Sequence, residues 1–358
     1  MQKPAVRKGM PDVQIGKDEF DRRFRAHFYD PAFKKAEPEL EKIIDIAWDA
    51  YDNSRKSPRT RKAGPGYTDP NYDLSIEWIA ASEAVAEAQT WHDDAAAASR
   101  ILIINASPRS EHTCPGEMSK TYRLAELAQE SVTQSGIEAE ILDLSRLTAE
   151  YGKVIYPCKA CVSTAMPLCH WPCSCYPNHS LNQAGDWMNE IYPKWVAAHG
   201  VMIITPVHWY QAPSALKLMI DRLVCADGGN PDPTSTHGKK PDEAKTLELA
   251  GWPYPRHLAG RVYSVVVHGD TEGAGGLTQA LSGWLSSMGL VAAGNKAVTK
   301  SYIGYYKPYA TSHESLDRDP DFKEEVRNAA RTLVTAVKQL RSGDWKPADS
   351  GLREPRSK

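Results

Sequence analysis

Three stretches of this 358-residue chain set polar, aromatic or glycine residues directly behind short apolar runs. Behind the run 101–105 come Ala106-Ser107-Pro108-Arg109-Ser110, with Ser119 and Thr121 further on. Hydroxyls and a guanidinium at a loop that opens a helix suit a phosphate, because backbone N–H groups and the helix dipole favour an anion there. An ordinary helix N-cap would use the same residue types. Behind the run 201–205 come Pro206-Val207-His208-Trp209-Tyr210, aromatic side chains placed where a flat ligand would lie. For His208, stacking or hydrogen bonding fits that place better than proton transfer. Behind the run 261–268 come Gly269-Asp270-Thr271-Glu272-Gly273-Ala274-Gly275-Gly276. Glycines there let backbone approach the edge of a ring closely, or simply make a flexible turn. No Gly-x-Gly-x-x-Gly and no Walker lysine motif is present, which argues against a dinucleotide Rossmann site or a P-loop.

The elements that must position these loops follow from the apolar pattern. The spacing predicts strands at 101–105, 138–144, 201–205 and 261–268, with a fifth inside 290–299. It predicts helices at 118–136, 182–199, 214–225, 277–288 and 322–340. Five strands in βα alternation imply a doubly wound parallel sheet. The three loops follow the first, third and fourth strands, so all open on the carboxyl edge, where open α/β sheets bind ligands. Residues 1–98 read differently: helices at 37–56 and 75–91 flank a Pro- and Gly-rich connector at 57–73. The expected organisation is therefore a helical extension at 1–98, the α/β domain at 99–343 and a disordered tail at 344–358. A long insertion at 226–258 and the aromatic run 301–309 are further loops of lid or packing type.

Composition narrows the class. Net charge is −2 with 25% charged residues, so no basic field suggests nucleic acid. No apolar run approaches the roughly 20 residues needed to span a bilayer, and residues 1–11 are polar without a signal-peptide core. A cytoplasmic protein without membrane partners is the expectation. Five of the seven cysteines, Cys158, Cys161, Cys169, Cys173 and Cys175, fall in eighteen residues. Such a cluster can hold zinc or an iron–sulfur centre, with Cys158, Cys161, Cys169 and Cys173 the candidate ligands. It can equally be a set of thiols in a loop, and the metal-free reading is preferred.

Pro206-Val207-x-Trp209-x-x-x-Pro213, leading into Leu216-Lys217-x-x-Ile220-Asp221-Arg222-Leu223, closely resembles the flavin loop of NAD(P)H-dependent FMN reductases of flavodoxin-like fold. Ser107-Pro108-Arg109 with Ser119-x-Thr121 resembles that family's FMN phosphate signature, interrupted by an insertion at 110–118. The resemblance covers roughly residues 100–300 and not the N-terminal extension. It implies a flavodoxin-like five-stranded parallel sheet with FMN at its carboxyl edge. Ser107, Arg109, Ser119 and Thr121 would hold the phosphate. Pro206, Val207, His208, Trp209 and Tyr210 would lie along the ring, and His268, Gly269, Asp270 and Gly273 near its O2 and N1. NAD(P)H would be the co-substrate, hydride passing through flavin N5 to a quinone, a flavin or a similar acceptor. No acid–base residue is required, and His208 and Tyr210 are possible substrate contacts. Family members commonly complete the site with a partner subunit, so a homodimer or homotetramer is implied. The cysteine cluster follows the second strand, where iron–sulfur flavoproteins of the superfamily carry theirs. A flavodoxin-type electron carrier and a relative that has lost flavin remain alternatives. Long insertions and near-neutral charge favour the enzyme.

Overall fold

Strands that are apolar on both faces have to be covered on both, and that requirement organises this chain. The structure is a computed structural model describing residues 7–114, 116–269, 272–303 and 308–346. Asp270 and the tail from residue 347 onward fall outside the described residues, as do residues 304–307 of the aromatic run. The chain forms two compact units. One runs to Pro58 and takes in Pro177–Ala184; the other is Arg59–Tyr176 together with the chain from Gly185 on.

The smaller unit is built on helices α1 (Lys17–Arg25) and α2 (Glu37–Asp52). Phe20 packs its ring against Trp48 and Tyr51 at 5.5 and 5.1 Å, and Leu40 and Ile44 are buried. Arg25 joins the two helices through Asp21, Glu37 and Glu41. The 177–184 segment attaches through the backbone N–H of His179, which donates to Lys56 O at 2.9 Å.

The larger unit opens with a hairpin, β1 (Thr60–Lys62) and β2 (Asp73–Ser75), and helix α3 (Ile76–Asp93). Then come β3 (Arg100–Asn105), α4 (Lys120–Thr133), β4 (Glu138–Asp143), a short α5 (Arg146–Ala149), α6 (Met188–Ala197) and β5 (Gly200–Pro206). After these follow α7 (Ser214–Arg222), α8 (Pro241–Leu249), β6 (Val262–Gly269), α9 (Ala274–Ser287), β7 (Val291–Ala292), β8 (Val298–Tyr302), α10 (Tyr309–Asp317) and α11 (Pro320–Ser342). The sheet order is β4-β3-β5-β6, with β7 and β8 on the outer edge of β6, every pairing parallel. β7 pairs with 262–263 and β8 with 265–269, so two short pieces fill one fifth position. The expected doubly wound five-stranded flavodoxin-like sheet is present, and its order is the 2-1-3-4-5 of that fold.

Alternation along β3 shows how the layers are sorted. Ile101 and Ile103 face a core with Leu124, Ala128, Phe322 and Leu333 of α4 and α11. Leu102 and Ile104 face the opposite core with Ile191, Trp195, Leu216 and Leu281 of α6, α7 and α9. Such two-sided burial is why β5 and β6 read as continuous apolar runs rather than alternating ones. Helix α3 packs on α6, and the Trp78 indole donates to Pro172 O at 2.9 Å, so α3 belongs to the larger unit.

Three expected stretches differ, the 57–73 connector by carrying strand β1. The helix expected at 182–199 starts only at Met188, because Asn182 (φ 54°) and Gly185 (φ 69°) turn the chain and Asp186 is committed to a buried bidentate pair with Arg222 at 2.6 and 3.1 Å. The 226–258 insertion, read from sequence as a loop, carries helix α8, started by Pro241 at its first position.

Candidate active site

The loop after β3 is held by its own side chains, those after β5 and β6 by backbone contacts. At the end of β3 the fully buried Asn105 amide donates to Asp143 Oδ1 at 2.6 Å, pinning the ends of β3 and β4 together. The Ser107 N–H donates to Asn105 Oδ1 at 3.3 Å, and the Arg109 N–H to Ser107 Oγ at 3.2 Å. Ser119 caps α4, accepting from the Tyr122 N–H at 3.0 Å, so the positive end of a 14-residue helix faces this loop. Within the 110–118 insertion, Thr113 Oγ1 donates to Ser110 O at 2.7 Å and accepts the Ser110 N–H at 3.1 Å, closing the insertion on itself. A cavity of about 760 Å³ opens beside the loop, lined by Arg109, Ser119, Tyr122, Asp143, Arg146 and Tyr151 among others.

Ser107, Ser119 and Thr121 are buried, and Thr121 Oγ1 lies 2.9 Å from His268 Nε2. His268 ends inside β6 with 1% of its surface exposed, its ring turned inward rather than toward the open edge. Burial, then the Lys120 charge, pushes its pKa down to about 3, so the imidazole is neutral near pH 7. Its Nδ1 has no hydrogen-bond partner among the described residues, which leaves Thr121 as its polar contact. Lys120, 2% exposed at the first position of α4, stands in the sequence as the variable residue between Ser119 and Thr121. Its signal was a charged residue at the start of a helix that also had to present hydroxyls.

At the end of β5, Pro206 and Val207 are buried, and the Val207 N–H donates to His268 O at 3.0 Å. His208 and Gln211 exchange two backbone hydrogen bonds of 2.9 Å each. Between them Trp209 (φ 48°) and Tyr210 (φ 67°) both take left-handed backbone. That is the two-residue turn usually made by Asn-Gly, built here from two aromatics that resist the conformation. The turn puts both side chains out: Trp209 is 93% exposed and Tyr210 59%.

The loop after β6 meets this turn. Gly273 has φ +107°, and a Cβ there would fall 2.7 Å from Tyr210 Cα. Only glycine permits that approach. Gly269 lies against Val207, and its carbonyl accepts from the Ile303 N–H at 3.1 Å. The structure therefore links the loops in series: Thr121 to His268 by a side-chain bond, His268 to Val207 by the sheet, and Tyr210 to Gly273 by backbone contact. Helices α4, α7 and α9 all begin at this edge, and their aligned dipoles favour negative charge.

The five clustered cysteines, Cys158 to Cys175, lie apart from these loops in sequence. Among the described residues no group of three or more His, Cys, Asp or Glu side chains is arranged to hold a metal ion, and the candidate set Cys158, Cys161, Cys169 and Cys173 is not gathered into one. No described helix is long and apolar enough to cross a membrane. A second cavity of about 650 Å³ lies at the amino end of β3 and β4. Four of its charged groups form pairs, Arg100 with Glu138 at 2.9 Å and Lys194 with Glu140.

Several solved structures resemble the chain. The RosB structure with a bound formylriboflavin-phosphate intermediate is 17% identical, with a TM-score of 0.46, covering 69% of this chain and 82% of that one. An oxidoreductase from Corynebacterium diphtheriae is 15% identical with a TM-score of 0.38, covering 68% and 98%. An NAD(P)H:quinone oxidoreductase from Methanothermobacter marburgensis is 16% identical with a TM-score of 0.37, covering 70% and 100%. No curated protein matches. The NADPH-dependent FMN reductase family matches residues 99–303, more than half the chain and the whole span that carries the three loops. With those loops meeting at the carboxyl edge of a flavodoxin-like sheet, the chain belongs to the NADPH-dependent FMN reductase family and is a flavin oxidoreductase.

Proposed function

We propose that this protein oxidises NAD(P)H and reduces a quinone or a flavin at an FMN held on the carboxyl edge of the sheet. The observation that carries the reading is the serial contact of the three loops on that edge, with a cationic, hydroxyl-rich end and an aromatic, glycine-lined end. The donor set fits the cofactor: the Arg109 guanidinium, the Ser107, Ser119 and Thr121 hydroxyls and the start of α4 match a phosphate dianion. Arg109 and Thr121 bind and orient that phosphate. Pro206, Val207, His208, Trp209 and Tyr210 define the plane in which a ring lies and supply contacts for the second substrate. Backbone at Gly269 and Gly273, with the start of α9, offers partial positive charge at the ring edge; Asp270 completes this loop in sequence. Bound FMN supplies the centre that accepts and then donates a hydride. No side chain is needed to move a proton, and neutral, buried His268 serves Thr121. The exposure of Trp209 supports a homo-oligomer in which a second subunit covers the ring.

The test is purification followed by flavin analysis and steady-state NADH and NADPH oxidation with a benzoquinone, with free FMN and with a one-electron protein acceptor. The expected result is about one FMN bound per chain and turnover with the quinone or flavin. A flavin-free protein overturns the site. Turnover confined to the one-electron acceptor overturns the enzyme reading in favour of a carrier.

A further inference from the structure

Five cysteines fall between Cys158 and Cys175, outside the three loops; Cys161 and Cys175 touch, and Cys173 hydrogen-bonds Cys175 as well. Cys161 Sγ lies 3.3 Å from Cys175 Sγ, and both residues are half-buried. A disulfide needs about 2.05 Å between sulfurs, so closing the pair asks for movement of about 1.3 Å. We propose that Cys161 and Cys175 are a redox-active thiol pair that a peroxide converts to an intramolecular disulfide. The inference is independent of the flavin reading.

The order of events follows from the sulfurs' surroundings. Cys161 and Cys175 are only half-buried, within reach of a small peroxide, whereas Cys169 and Cys225 are buried. Thiolate is the reactive form, and Cys161, with Cys175 Sγ 3.3 Å away to resolve it, is the sulfur that attacks. It attacks one peroxide oxygen and breaks the O–O bond, giving a sulfenic acid at Cys161 and, with hydrogen peroxide, one water. The adjacent Cys175 thiol then attacks the sulfenic sulfur, forming the S–S bond and expelling a second water. Two thiols and one hydrogen peroxide become one disulfide and two waters. The new bond closes a loop that holds Trp171, whose ring stacks on His257 at 5.0 Å and meets Tyr192 edge-on at 5.3 Å. Oxidation thus staples a segment already packed against the body of the larger unit.

The full chain, freshly reduced, is exposed to a slight excess of hydrogen peroxide, alkylated and digested without reductant. Mass spectrometry is expected to show a Cys161–Cys175 linked peptide pair two hydrogens lighter than its reduced parts. The titratable thiols of the unfolded protein fall from seven to five, and dithiothreitol restores them. In Cys175→Ser the reaction stops at a Cys161 sulfenic acid, captured by dimedone. The first measurement needs no variant, so misfolding of a substituted chain does not blunt the test. Oxidation first at the exposed Cys114, a bridge to a different cysteine, or zinc or iron bound by these thiols in the purified protein would each overturn the proposal.

Discussion

Replacing Gly273 with Ala tests whether the loops after β5 and β6 are locked together. The new Cβ would sit 2.7 Å from Tyr210 Cα, 3.1 Å from Tyr210 O and 3.2 Å from Tyr210 C. All three are backbone atoms, so no flexible side chain can give way. Ordinary contact begins near 3.4 Å, so the turn must retreat by about 0.7 Å. Alanine in a left-handed conformation costs about 1–2 kcal/mol, and overpacking against a fixed neighbour typically adds about 1–3 kcal/mol. A combined loss of roughly 2–5 kcal/mol lowers the melting temperature by roughly 4–20 °C for a domain of this size. Displacing Tyr210 also weakens FMN binding, read by fluorescence titration of the apoprotein. Gly276→Ala is the control. That glycine lies inside α9 without a positive φ, and a Cβ there meets nothing within 4 Å; the change should stabilise by about 0.5–1 kcal/mol through helix propensity. A Gly273→Ala protein that melts with its parent and binds FMN within about twofold of it would refute the contact and the site built on it.

Arg109→Ala should weaken FMN binding about tenfold or more, with little change in melting, since a hydrogen bond to a charged group contributes about 1.5–3 kcal/mol; unchanged affinity would remove Arg109 from the phosphate. Thr121→Val should do the same and also lower stability by about 1–3 kcal/mol, because it strips the buried His268 of its polar contact; calorimetry separates the two effects. Trp209→Gly should hold or raise the melting temperature, as it relieves left-handed strain at a side chain 93% exposed, while turnover falls; a collapse in melting would make Trp209 a structural residue. Acid should destabilise the protein in a defined window. Burial lowers His92 and His199 to about 4, so between about 6.5, the unfolded value, and 4 the unfolded chain binds more protons and stability falls as pH drops; burial extends the window to about 3 for His268. Melting temperatures constant from about pH 7 to about pH 4.5 would contradict the neutral, buried state of these rings.

The parallel sheet was legible because its central strands are covered on both faces, leaving runs such as 201–205 without alternation. The same feature hid which way a strand residue points. His268 was readable as a residue at the open edge, yet its ring turns inward to Thr121, and a strand buried on both sides carries no polar alternation to say so. The loop positions were legible from strand order alone. The turn at 208–211 was not: Trp209 and Tyr210 have no preference for left-handed backbone, and only the paired hydrogen bonds of His208 and Gln211 reveal it. Helix α6 is eight residues shorter than the sequence suggests, six of them at its start, because 182–187 is rich in helix-compatible residues, while Asn182, Gly185 and the Asp186–Arg222 pair are tertiary commitments. Lys120 hid inside a motif as its variable position. The thiol contact between Cys161 and Cys175 joins residues fourteen apart across a loop without regular repeat, which no spacing rule anticipates.

The smaller unit's claim on Pro177–Ala184 bears on how the protein is born. About 120 residues separate Pro58 from the segment that completes this unit. At a synthesis rate of about 5–20 residues per second, its first helices wait roughly 6–24 s on the ribosome for their missing piece. By then β3, α4 and β4 of the other unit have already been made. Residues up to Pro58, made before the larger unit, are thus not the first that can finish folding. A chain cut after Pro58 would release helices without the segment that closes their unit and leave the remainder with an orphaned excursion at Pro177–Ala184.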